Sequence, residues 1–226
     1  MNVTQKALFE IPMWVAQLDE VVPYHEAMAK EAEELIDRDN SCAAELRPYL
    51  AHQTTSDPFD LPNPGWKLLD SLCNDIFSNL AKQNFQRWRA GEFHLRRWAI
   101  RFGRLTPEEK ARLARDAVHN HLPALFSSIY YLRLPPEFAE NPSGGTVFVN
   151  PIGNLMDLMS PRTRVIEPKE GRLLVFPSFV DHAPAPVEWD ANGVSRIVIS
   201  TDVFYTSGRT RNAVPLLKAE AGRERR

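Results

Sequence analysis

The run Gly171-Arg-Leu-Leu-Val-Phe-Pro-Ser-Phe-Val-Asp-His182 decides how this chain is read. A glycine suited to a tight turn opens it, a short apolar strand follows, and Pro177-Ser-Phe-Val-Asp bends the chain so that His182 stands just past the strand. Downstream, Arg196 opens a second β-branched strand, Ser195-Arg-Ile-Val-Ile-Ser200. Upstream, His119-Asn-His121 precedes a third, Phe126-Ser-Ser-Ile-Tyr-Tyr-Leu132. A histidine beside a strand end and an arginine buried in apolar sequence suggest a metal ligand next to an anion anchor.

Working outward from these runs, the texture from residue 117 onward is short β-rich segments separated by Pro, Gly and Asn: 117–121, 126–134, 146–150, 163–167, 172–176, 183–187 and 195–205. Seven such runs predict a sandwich or barrel. The N-terminal half reads differently. Residues 7–18 form an extended apolar segment that Pro12 restricts to a sheet edge. Residues 23–38 place Met28, Ala32, Leu35 and Ile36 at helical spacing, and Trp66 to about Arg89 does so more strongly with Leu68, Leu69, Leu72, Ile76, Leu80 and Phe85. Between them, 53–65 is a loop; after them, Phe93–Phe102 is a strand and Thr106-Pro-Glu-Glu109 starts a short helix through about Ala114. The expected architecture is α+β, mainly β: a jelly roll, or double-stranded β-helix of cupin-like form, with the N-terminal helices packed outside one sheet. One domain spans 1–217, with 1–115 supplying the first strand and supporting helices and 116–206 the core, and 218–226 forms a flexible tail.

Composition narrows the function. The 226 residues carry 27 Lys and Arg against 29 Asp and Glu, a formal charge of -2, without a basic block that would follow a nucleic-acid backbone. Cys42 and Cys73 lack CxxC spacing and read as buried thiols. The opening residues show no export signal, and no apolar run approaches the roughly 20 residues that span a bilayer. The expectation is a soluble cytoplasmic protein acting on a small molecule or a peptide.

In a strand, residues two apart share a face, so His119 and His121 would project together. With His182 they would give three imidazoles on one side of a metal, leaving other positions open. His25, His52 and His94 read as solvated or hydrogen-bonded histidines, and Arg162 and Arg164 as loop arginines or as charges facing a substrate. Arg196, among Val194, Ile197, Val198 and Ile199, is costly to bury unless paired, and its planar guanidinium suits a carboxylate. Tyr131 shares a face with Ser127 and Ile129 while Tyr130 points the other way, so one of the two faces the interior.

The segments 126–132, Ser143-Gly-Gly-Thr-Val-Phe148, Glu170–Pro177, Asp181-His182 and Arg196–Ser200 resemble, in order and spacing, the 2-oxoglutarate- and Fe(II)-dependent oxygenases, in particular small bacterial relatives of the prolyl hydroxylase branch. The resemblance covers about residues 115–205. It implies His119 and His182 as iron ligands, and Arg196 and Tyr131 as the groups that bind the 5-carboxylate of 2-oxoglutarate. O2 is then the co-reactant, and decarboxylation to succinate accompanies hydroxylation of the substrate. Where the superfamily has Asp or Glu two residues after the first histidine, this chain has His121. Either His121 is the third ligand, or a carboxylate such as Asp181 or Asp116 approaches from elsewhere. Two rival readings stand beside this one: a cupin-like metal-binding module, which has no need of Arg196, and a three-histidine iron dioxygenase independent of 2-oxoglutarate.

Overall fold

The computed structural model describes residues 11–42, 52–84, 93–102, 118–136, 145–151, 162–185 and 194–205. The helix expected over 106–114, the alternative ligand Asp116 and the tail 218–226 lie outside them. Among the described residues nine strands form two sheets: β1 (Trp14–Gln17), β2 (His52–Gln53), β3 (Phe93–Phe102), β4 (Phe126–Arg133), β5 (Thr146–Val149), β6 (Thr163–Ile166), β7 (Arg172–Pro177), β8 (His182–Pro184) and β9 (Arg196–Tyr205). The large sheet runs β1-β7-β4-β9-β3-β2 and the small one β6-β5-β8, antiparallel at every pairing. The sheet-rich α+β jelly roll read from the sequence is the architecture found.

Two helices, α1 (His25–Cys42) and α2 (Pro64–Asn84), cover one face of the large sheet. Met28, Ala29, Ala32 and Ile36 on α1 recur at three- and four-residue steps, as do Trp66, Leu69, Cys73, Phe77 and Leu80 on α2, so each helix buries one stripe. That stripe meets Phe126, Tyr130 and Leu132 of β4, Leu173 and Val175 of β7, and Ile197, Ile199 and Val203 of β9. Each such fully buried large side chain contributes about 1.5–3 kcal/mol. Asn63 starts α2 by accepting the Gly65 N–H through Oδ1 at 2.8 Å, with Pro64 at the first helical position, where its missing donor costs nothing. The Trp66 indole N–H ties α2 to Glu31 of α1 at 2.7 Å.

Because strand side chains alternate, the other face of the same strands carries Ser127, Ile129 and Tyr131, Leu174 and Phe176, and Arg196, Val198, Ser200 and Asp202. Most of these pack with Phe102, Val180 and Phe148 into a second core between the sheets. A register shift between Tyr131 and Arg133 interrupts the alternation, and Arg133 turns to Glu33 on α1. Gly171 sits at φ +76°, and a Cβ there would lie 2.8 Å from the Gln17 side chain and 2.9 Å from Val22, so the turn into β7 requires glycine on both counts.

Several boundaries move from the sequence reading. The helix expected from residue 66 begins at Pro64, because Asn63 and Pro64 are a cap and first turn and not part of the preceding loop. The loop itself contains a short 3-10 turn, Pro58–Asp60, capped by the Asp57 side chain. The run 117–121 is not a strand among the described residues: His119 makes an isolated bridge with His182, and the chain then turns through 122–123. Strand β1 lies at the edge of the large sheet, as Pro12 implied. No helix among the described residues is long and apolar enough to cross a membrane.

Candidate metal centre

Two loops meet at the open end of the second core. One, 118–125, enters β4; the other, 178–181, joins β7 to β8. Backbone hydrogen bonds latch them: His119 and His182 exchange N–H···O contacts at 3.0 and 2.9 Å, His121 N–H donates to Ser178 O at 2.9 Å, and Ser178 N–H donates to Leu125 O at 3.2 Å. The latch brings the imidazoles of His119, His121 and His182 together, with ring centroids 4.7–5.0 Å apart and one nitrogen of each within 4.8 Å of the others.

Hydrogen bonds set which nitrogen each buried ring offers. His182 Nδ1 lies 3.1 Å from the Val180 carbonyl, which only accepts, so Nδ1 carries the proton and Nε2 keeps its lone pair. Burial, reinforced by neighbouring His119 and His121, pushes the His182 pKa down to about 3, so the ring is neutral at neutral pH, as a metal ligand must be. His121 Nδ1 lies 2.6 Å from Asp202 Oδ1, an arrangement that again directs Nε2 to the cluster. Asp202 is buried on β9 and also accepts the Ser127 hydroxyl at 2.7 Å, while Ser127 contacts the buried Ser178 hydroxyl at 2.9 Å. The carboxylate of this site therefore stands behind a histidine.

Asp181, one of the two alternative ligands, accepts from the Asn120 side chain at 2.9 Å and lies outside the triad, tying the two loops together. Three imidazoles form a donor set suited to a divalent transition metal.

Deeper between the sheets lies Arg196, 2% exposed. Its guanidinium sits 5.0 Å from the Phe102 ring centroid and 5.5 Å from that of Tyr131. Its buried Nε has no hydrogen-bond partner among the described residues. Burial pulls its pKa below the ordinary arginine value, yet a guanidinium stays protonated at neutral pH. A buried cation packed against two rings with an unpartnered Nε is costly without an anion. Beside it the Tyr131 hydroxyl meets Thr146 Oγ1 at 2.8 Å, which adds polar groups on the strand facing Arg196.

The remaining sequence candidates are accounted for elsewhere. Tyr130 points to the helices and contacts His25 Nε2 at 2.7 Å. His94 is exposed against Phe204. Cys73 is buried in the helix-side core, which pushes its thiol pKa up to about 12; the side chains of Cys42 and His52 lie outside the described set. Arg164 is exposed on β6 and Arg162 just before it. Sequence reading gave no role to Ser127, which it placed on the face of Tyr131, and passed over Asp202, Thr146 and Trp98, whose ring stacks on His121 at 5.6 Å. An acid two-residue steps from Arg196 along an apolar strand was the available signal for Asp202.

Three histidines gathered at two loops of a jelly roll, with a buried cation behind them, are an arrangement suited to a metal ion and an anion. The comparisons name the family it resembles. Residues 109–202, less than half of the chain, match the model of the family described as "Putative 2OG-Fe(II) oxygenase". No curated protein matches the sequence. Among solved structures, the fold is similar to a putative oxygenase from Shewanella oneidensis, with a TM-score of 0.58 and 11% identity over 92% of this chain and 90% of that one. It is similar to a putative 2OG-Fe(II) oxygenase family protein from Caulobacter crescentus, with a TM-score of 0.51 and 11% identity over 86% and 78%. It is also similar to HygX from Streptomyces hygroscopicus, solved with nickel, 2-oxoglutarate and hygromycin B, with a TM-score of 0.50 and 12% identity over 87% and 84%. At these identities the likeness is one of fold. The resemblance to the 2-oxoglutarate- and Fe(II)-dependent oxygenases seen in the sequence is thus met by the family model and by the jelly roll.

Proposed function

We propose that the protein is a 2-oxoglutarate- and Fe(II)-dependent oxygenase that hydroxylates a C–H bond of a small molecule or peptide, with release of succinate and CO2. The observation that carries this reading is the pairing of the histidine triad with a buried Arg196 that has no anion among the described residues. A plain cupin-like metal module gives no reason to bury that charge. HygX, on the same fold, holds nickel and 2-oxoglutarate, which supports the reading.

In this mechanism His119, His121 and His182 hold Fe(II), and Arg196 with Tyr131 and Thr146 receives the distal carboxylate of 2-oxoglutarate. Fe(II) with 2-oxoglutarate and O2 supplies the oxidising chemistry. The chain supplies the rest. Asp202 and the Val180 carbonyl keep the Nδ1 protons in place, so His121 and His182 present Nε2 without reorganising. Phe148 and Phe176 pack on His182, and Trp98 packs on His121; they keep water from the ligand edges and fix the rings. Ser127 and Ser178 hold Asp202 where it can restrain His121.

The test is anaerobic titration of metal-free protein with Fe(II) and then 2-oxoglutarate, followed by visible absorption. The expected charge-transfer band disappears in His182→Ala and weakens in Arg196→Met. Iron binding without any band on adding 2-oxoglutarate would overturn the keto-acid mechanism and favour a three-histidine dioxygenase.

A further inference from the structure

The inner face of the small sheet is laid out in rows, because directly opposed residues of antiparallel strands project to one face. Arg164 lies opposite Phe148, Phe148 opposite His182, and His182 opposite His119, so these residues stand abreast on successive segments. One step deeper, Ile166 lies opposite Thr146, which meets Tyr131 beside Arg196. One step outward, the Asn150 N–H donates to the Arg162 carbonyl at 2.8 Å and continues the ladder. Ile166 and Phe148 both pack on the core between the sheets, which fixes the face: by period two, Arg164 and Arg162 follow Ile166 to the inner side. Along that face Ile166 is half-buried while Arg164 and Arg162 are exposed, so β6 leaves the core at the row of the histidines.

Two cations thus share one face of one strand, roughly 7 Å apart at the backbone, a spacing at which two long side chains can close on a single group above the strand. With strands about 4.8 Å apart, Arg164 stands roughly 10 Å from His182, backbone to backbone. The side chains of Arg162 and Arg164 make no ion pair or hydrogen bond with a described residue. Other arginines of the sheets are engaged: Arg97 by Asp70 and Asp57, Arg101 by Asp37, Arg133 by Glu33, Arg172 by the Glu167 carbonyl, and Arg96 by the Trp98 ring. The nearby acids do not answer the pair. Glu167 and Asp181 alternate with the inward Ile166 and His182 and so face outward, Asp181 bound by Asn120, while Asp202 is held by His121 and Ser127.

We propose that the primary substrate carries an oxyanion, a carboxylate or a phosphate, gripped by Arg162 and Arg164 while its carbon chain crosses β5 to the metal. The oxidised C–H bond then lies at the end of the substrate away from the anion. This substrate class deepens the oxygenase reading and rests on it for the reaction, whereas the binding of the anion stands apart from that chemistry. Two guanidinium groups on one oxyanion give charge-assisted hydrogen bonds, and their planar forks suit both carboxylate and phosphate. The cosubstrate anchor Arg196 lies on the deeper side of the same row, so the two anions do not compete for one cation.

The test is proton relaxation of bound probes on Co(II)-loaded protein with saturating 2-oxoglutarate, the Zn(II)-loaded protein serving as the diamagnetic reference. The probes are hexanoate and hexyl phosphate, with hexanamide as the neutral control. Paramagnetic enhancement is expected to rise from the methylene beside the anion to the terminal methyl. At least one of the two anions should bind about tenfold or more tightly than the amide, the tighter one naming the oxyanion, and Arg162→Gln and Arg164→Gln should each weaken it about tenfold. Lys67→Gln, which removes an exposed cation from α2, should not. A flat or reversed gradient, no preference for either anion, a preference that survives both arginine substitutions, or equal weakening by Lys67→Gln would each overturn the proposal. If gradient and preference stand but Fe(II) and 2-oxoglutarate give no visible band, the oxygenase reading fails and the anion site remains; a band without the gradient removes the anion site alone.

Discussion

The two faces of the large sheet, built from the same strands, solve opposite problems. On the helix face the cations are closed off by partners, Arg97 by Asp70 and Asp57, Arg101 by Asp37, and Arg133 by Glu33 and Ser195, and the Tyr130 hydroxyl meets His25, while the buried Ser128 hydroxyl has no hydrogen-bond partner among the described residues. On the inner face Arg196 is buried against two aromatic rings, and three histidines crowd together with one nitrogen of each within 4.8 Å of the others. Tyr130 and Tyr131 show the contrast one residue apart, the first packed beneath α1 and the second in the inner core beside Arg196. Period-two alternation lets one strand carry stability on one side and unmet binding capacity on the other. Satisfied contacts hold the sheet rigid, so the inner face can keep groups that await a ligand.

If that division is real, substitutions on the two faces should separate. The largest effect is expected from His182→Ala, which removes a buried donor: Fe(II) affinity measured anaerobically by calorimetry should fall by more than the roughly 10–100-fold typical of losing an outer-shell partner. Persistence of wild-type affinity would break the assignment of the triad. Trp66→Ala, on the opposite side, should cost about 3–5 kcal/mol in urea unfolding and leave the metal affinity of the folded protein unchanged. Coupling of the two would show that the helix face positions the site more directly than the sheet implies.

Asp202→Asn sharpens the comparison, because it changes a group that orients a ligand without being one. Metal affinity should drop about 10–100-fold while the unfolding midpoint moves little. Tyr130→Phe takes the hydroxyl from His25 and should cost about 1–3 kcal/mol with no change in the Fe(II)–2-oxoglutarate band.

The smallest effect concerns Glu33. Burial raises its pKa, but hydrogen bonds from Arg133 and Ser195 and the charge of Arg133 outweigh that and hold it below 4.5. A carboxylate whose pKa is depressed in the folded state binds fewer protons there than when unfolded, so its contribution is present above about pH 4.5 and fades as the pH falls through the folded value. Glu33→Gln should therefore lower the melting temperature at pH 7 and have progressively less effect below pH 4.5. A difference independent of pH would mean that packing, and not the ion pair with Arg133, is what the substitution removes.

Much of this was legible in particular residues. Strand β3 falls at the bounds that its sequence suggested, and the β-branched run after Arg196 becomes the central strand β9. Arg196 itself announced a buried charge. Other features carried no local signal. His119 and His121 looked like neighbours on a strand, yet they converge through a turn and a single bridge to His182. The role of Asp202 depends on a contact across 81 positions of chain, and that of Thr146 on a facing strand in the other sheet.

The sequence by itself determined most of the elements, the face that most strand residues take, and the inventory of imidazoles and cations, because those follow from local periodicity, turn chemistry and the cost of burying charge. Only the tertiary structure decided which carboxylate restrains which histidine and which arginines are answered by an acid. Those outcomes depend on the order of strands in two sheets and on the latch between two loops, and a contact between distant segments leaves no periodic trace along the chain.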